Sequence, residues 1–83
     1  MEITKELVEK SFPSFVVHYA SLTKSKLFML VREALHVQLV VLMDEGMVEY
    51  EIWKEGSLME KDKVDKIVMI DAIKLKIKEY DSE

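Results

Sequence analysis

Apolar and polar positions change their period several times along the chain, and these changes divide it into elements. Ile3, Leu7 and Val8 recur at helical spacing among Lys5, Glu6, Glu9 and Lys10, and Thr4 stands where its hydroxyl caps a first turn. The spacing predicts a short helix ending near Phe12, because Pro13 disfavours α conformation in the residue before it. From Phe15 onward, Phe15, Val16, Tyr19, Leu22, Leu27, Leu30, Val31, Ala34 and Leu35 fit a helical period, which predicts one helix, or two in tandem, ending near Leu35. Ser21 and Thr23 mark where a fresh helix would be capped. A short strand over Phe15 to Tyr19 is the alternative for residues 14–22.

At Val37 the period becomes two. Val37, Leu39, Val41 and Met43 alternate with Gln38, Val40 and Leu42, and after Asp44-Glu45-Gly46 the alternation resumes with Val48, Tyr50 and Ile52 against Glu49 and Glu51. Two alternating runs around a glycine predict a β-hairpin over residues 37–53. The pattern also selects its register. An even-length loop pairs Met43 with Val48, Val41 with Tyr50 and Leu39 with Ile52, whereas an odd loop sets Val41 and Leu39 opposite carboxylates.

Lys54-Glu55-Gly56 reads as a second turn, and Ser57-Leu58-Met59-Glu60 has the form of a capping box, predicting a helical turn or two through Lys66. Ile73-Lys74-Leu75-Lys76-Ile77-Lys78 alternates strictly, which predicts a C-terminal strand over about residues 67–79 with its lysines opposite Glu49 and Glu51. Together these elements predict an α+β fold, one domain over residues 1–83. Its N-terminal helices pack on one face of a small antiparallel sheet.

Composition narrows the chemistry. Cysteine is absent from the 83 residues, which excludes disulfides, thiolate metal sites and a cysteine nucleophile. No run of roughly 18 apolar residues is present, and Met1 to Lys5 opens no signal-like segment, so the expected location is the cytoplasm, with no membrane contact. Asparagine is absent, and lysine and glutamate dominate the charges, a thermophile-like balance. A net charge of −4 opposes general nucleic-acid binding, which draws its affinity from neutralised phosphates.

Neither His18 nor His36 has a second histidine at ligand spacing, and Ser21, Thr23, Ser25 and Ser57 occupy no nucleophile elbow. The expectation is therefore a protein without catalytic residues, cofactor or metal. Thr23-Lys24-Ser25-Lys26 would hold an anion at Lys24 and Lys26 if it opened a helix. The row Lys74, Lys76, Lys78, with Trp53 and Tyr80 as stacking platforms, would track a nucleic-acid backbone.

The stretch Leu42-Met43-Asp44-Glu45-Gly46-Met47-Val48-Glu49-Tyr50 resembles the end of a winged-helix recognition helix leading into its wing. That resemblance implies a helix over Val37 to Met43, a helix-turn-helix before it, and DNA binding. Against it, the segment is β-branched and carries no arginine or lysine to read bases.

Val40, Leu42 and Trp53 project from the hairpin face opposite its core. Apolar residues on both faces require two covers, and a second subunit is the expected one for this face. Two function classes follow: a small non-catalytic protein-interaction or oligomerisation domain, expected as a homodimer, and a small nucleic-acid-binding regulator.

Overall fold

The computed structural model of the chain describes residues 2–81. Helix α1 (Lys5–Ser11) is followed by five strands, β1 (Val16–Ser21), β2 (Lys26–Arg32), β3 (Val37–Met43), β4 (Met47–Lys54) and β5 (Ser57–Asp65), and by helix α2 (Met69–Asp81). The strands form one antiparallel sheet in the order β1-β2-β3-β4-β5, each joined to the next by a short turn. The fold is α+β.

Helix α1 is the helix its spacing predicts. The Thr4 hydroxyl accepts the Leu7 N–H at 3.2 Å, and Val8 faces the core. The β3–β4 hairpin has the even-loop register, with Met43 opposite Val48, Val41 opposite Tyr50 and Leu39 opposite Ile52. Gly46 takes φ +77 at its turn, where a side chain would be strained.

Three segments differ from the expectation, each for a definable reason. Residues 15–35 form β1 and β2, not helices. Leu27 to Val31 is apolar at every position, so a helical period could be fitted to it, while the strand buries Phe28 and Leu30 inward and leaves Leu27, Met29 and Val31 half-buried on the other side. The strand alternative for residues 14–22 is the one adopted, as Val16–Ser21.

Ser57 to Lys66 does not open with a capped helix; Ser57–Asp65 is β5, following a turn in which Glu55 (φ 51) and Gly56 (φ 78) both have positive φ. Two successive positive values are what a type I′ two-residue hairpin turn needs. The turn therefore carried more information than the box-like Ser-x-x-Glu spacing.

The expected C-terminal strand is helix α2. Met69, Ile73 and Ile77 recur every fourth residue and are buried, whereas Leu75, the residue that made the alternation look strict, is 66% exposed. The helices thus lie at both ends of the chain. Both pack on the inner sheet face, where Ile3, Val8 and Phe12 join Met69, Ile73 and Ile77 in one core cluster with the inward strand residues.

Helix α2 is also tied by polar contacts. Tyr50, 1% exposed, donates its hydroxyl to Glu60 Oε2 at 3.1 Å, and Lys76 Nζ lies 3.7 Å from the same oxygen. Burial first, then the Glu60 hydrogen bond and nearby carboxylates, push the Tyr50 phenol up to about 12. Among the described residues, no helix is long and apolar enough to cross a membrane.

Candidate functional site: the outer face of the sheet

With both helices on the inner face, the outer face has no cover from the described chain. Strand pairing arranges its side chains in three rows across the sheet. One row runs Val16, Val31, Gln38, Trp53, Leu58; the next His18, Met29, Val40, Glu51, Lys61; the third Ala20, Leu27, Leu42, Glu49, Lys63. Read across the rows, the face has two halves. Over β1 to β3 it is apolar apart from His18 and Gln38, and over β4 and β5 it is charged apart from Met47, Trp53 and Leu58.

The apolar half is substantially open. Val16 is 61% and Leu42 38% exposed, while Leu27, Met29, Val31, Val40 and Trp53 are half-buried against their neighbours. The charged half is internally arranged: Lys61 Nζ lies 3.2 Å from Glu49 and 3.8 Å from Glu51, and the Trp53 indole N–H donates to Glu51 at 3.1 Å. One ammonium thus bridges two carboxylates. A shallow hollow of about 160 Å³ lies on the seam between the halves, with Leu27, Val40 and Leu42 against Glu49 and Glu51.

Val40, Leu42 and Trp53, singled out in the sequence, share this face, but they form only part of the patch. Val16, Ala20, Leu27, Met29 and Val31 complete it. The helical period fitted to residues 15–35 does not place them on a sheet face. The signal that finds them is the continuous apolar run Leu27 to Val31, since a strand that is apolar on both faces needs two covers.

The lysines fall elsewhere than expected. Lys24 lies in the β1–β2 turn, and Lys26 begins β2, where its Nζ donates to the Ile3 carbonyl at 3.2 Å and pairs with Glu2 at 3.5 Å. No helix starts there, so the helix-terminus anion site is not formed; Lys26 instead anchors the segment leading into α1. Lys74, Lys76 and Lys78 are on α2 and not on a strand, and the partners of Glu49 and Glu51 are supplied by Lys61. Lys76 is drawn inward to Glu60, away from Lys74 and Lys78.

Lys74 and Lys78, one helical turn apart, line a groove of about 590 Å³ between α2 and the segment Ser11 to Phe15, with Arg32 on the same rim and Phe12, Phe15 and Ile77 beneath. His18 stands on the outer face in β1, whereas His36 caps the short 3₁₀ turn Glu33–Leu35 in left-handed conformation at φ 54. The winged-helix reading is corrected by β3: Val37 to Met43 is a central strand, with no recognition helix for the resemblance to supply. Among the described residues, no three His, Asp or Glu side chains are grouped to hold a metal ion.

Comparison of the chain with protein-family models, with curated proteins and with solved structures finds no match.

Proposed function

We propose that this protein is a non-catalytic interaction module whose working surface is the apolar half of the outer sheet face, and that it acts first by self-association. The observation that carries the reading is the placement of α1 and α2 on one side of a sheet whose other side is apolar across three strands. Contiguous apolar surface of this kind on a small domain marks an interaction site. The acidic balance, and the separation of Lys24 in the β1–β2 turn and Lys26 at the start of β2 from Lys74, Lys76 and Lys78 on α2, favour a protein partner over a nucleic-acid backbone.

Geometry bounds the affinity. Three to four strands at about 4.8 Å spacing and about 20 Å length give roughly 300–400 Å² of projected surface per copy. That falls below the roughly 800 Å² per partner of standard-size interfaces and into the range of weak, transient ones. Sedimentation equilibrium at tens of micromolar is therefore the direct test. The native chain should sediment as a dimer and Leu42→Lys as a monomer, because a buried lysine without a partner costs several times what an exposed one does. A native monomer at that concentration, or a Leu42→Lys dimer as tight as the native one, refutes the reading.

A further inference from the structure

We infer that two copies stack outer face to outer face about a two-fold axis running along β2, so that Met29 meets Met29 and His18 of each copy enters the partner's hollow beside Glu49 and Glu51. The inference rests on the self-association reading and adds its geometry, which the distribution of charge selects.

A sheet face can meet its own copy about a two-fold axis either along the strands or across them. An axis across the strands lays each strand over its own counterpart, so Glu51 faces Glu51 and Lys61 faces Lys61 in the middle row. Like charges are then stacked and dehydrated together. An axis along β3 lays β1 and β2 over the partner's β5 and β4, and dehydrates the Glu49 and Glu51 carboxylates against Leu27 and Met29. An axis along β2 avoids both. It places β3 over the partner's β1 and β2 over β2, and leaves β4 and β5 of each copy overhanging in solvent.

This stacking also matches the side chains row by row. An axis along the strands preserves the rows, so Leu42 lies over Ala20, a large residue over a small one, while Leu27, Met29 and Val31 each meet themselves on the axis. Val40 lies over His18, whose ring reaches the seam hollow formed by Leu27, Val40, Leu42, Glu49 and Glu51. That hollow is apolar on one wall and carries two carboxylates sharing one ammonium on the other. Imidazole, apolar in its body and a hydrogen-bond donor at its edge, fits both walls.

The absence of cysteine makes single-cysteine variants unambiguous. Met29→Cys, Leu27→Cys, His18→Cys and Lys63→Cys are each treated with a short bis-maleimide above the dissociation constant, and covalent dimer is followed with time. Positions 29 and 27 stand on the axis; position 63 is separated from its twin by six strand spacings of about 4.8 Å, roughly 29 Å. Met29→Cys and Leu27→Cys should cross-link about a hundredfold faster than Lys63→Cys, the ratio of a millimolar effective concentration to tens of micromolar in free solution. Two β2 positions keep the result readable if one substitution itself loosens the dimer. A native dimer that cross-links at His18→Cys but at neither β2 position overturns the stacking in favour of edge pairing through β1. A dimer that cross-links at none of them overturns it also, while leaving self-association standing; a native monomer removes both.

Discussion

Replacing Tyr50 with phenylalanine tests whether the side-chain hydrogen bond from β4 to Glu60 of β5 contributes to stability, and it does so through a pH signature that packing alone cannot mimic. The hydroxyl donates to Glu60, and burial with that hydrogen bond raises its ionisation from the ordinary 10.0 to about 12. Because the folded value lies above the unfolded one, the contribution is fully present below pH 10 and is lost as pH rises through 12. Two units correspond to a ceiling of about 2.7 kcal/mol. The Glu60 side chain, at 24% exposure, leaves the site partly screened by solvent, so roughly 1–2 kcal/mol is the expected loss between pH 10 and 12. At pH 7 the Tyr50→Phe chain should be about 1 kcal/mol less stable, because Glu60 keeps Lys76 while losing one neutral donor. Urea unfolding followed by the fluorescence of Trp53, the single tryptophan, measures both chains from pH 7 to 11.5. Tyr80, whose ionisation is also raised, first by burial and then by Glu60 and Glu79, adds its charge to the forces that hold the Tyr50 phenol protonated. The stability gap should therefore close above pH 10. A gap that stays constant across that range refutes the assignment of the raised ionisation to Tyr50.

Two further substitutions probe the segments where pattern and structure part. Glu55 holds φ 51 in the β4–β5 turn, so Glu55→Asn, which tolerates that conformation better, should stabilise the fold by about 0.5–1 kcal/mol in urea unfolding; a loss of stability would mean that the turn is not of this type. In α2, Ile73→Ala should cost about 2–5 kcal/mol and Leu75→Ala less than about 0.5 kcal/mol, whereas a strand over residues 73–78 would make the two losses alike.

The parts of the fold legible in the sequence are those in which a local pattern admits one reading. Thr4 with Ile3, Leu7 and Val8 points to a helix, and the alternation of Val37 to Trp53 points to a hairpin with its register, because a slip of one residue would bury Glu49 and Glu51. The parts that were misread are locally ambiguous. In Leu27 to Val31 every position is apolar, so no period distinguishes helix from strand until the second face is considered. In Ile73 to Lys78 the spacing of Ile73 and Ile77 suits a helix as well as a strand. Leu75 tipped the balance toward a strand, and only the tertiary structure shows that it faces solvent. The outer face follows the same division: the hairpin pattern places Val40, Leu42 and Trp53 on it, and the ambiguous pattern of β1 and β2 does not place their residues.

The two edges of the sheet give this surface a further logic. An open edge strand invites pairing with other chains unless charge or irregularity blocks it. Strand β5 is blocked in both ways: Glu60, Lys61, Asp62, Lys63 and Asp65 lie along it, and its register shifts opposite Ile52 and Trp53. Strand β1, Val-Val-His-Tyr-Ala-Ser, has no Asp, Glu, Lys or Arg and no register shift against β2. The unguarded edge therefore borders the apolar half of the outer face, and the guarded edge borders the charged half. Stacking along β2, as inferred, would cover the apolar half of the outer face by seating each β1 over the partner's β3, and would leave the in-plane N–H and C=O groups of the β1 edge unpaired. Edge pairing through β1 would instead leave Leu42 and Trp53 exposed on a ten-stranded sheet, so one edge would be protected while the larger apolar surface stayed open.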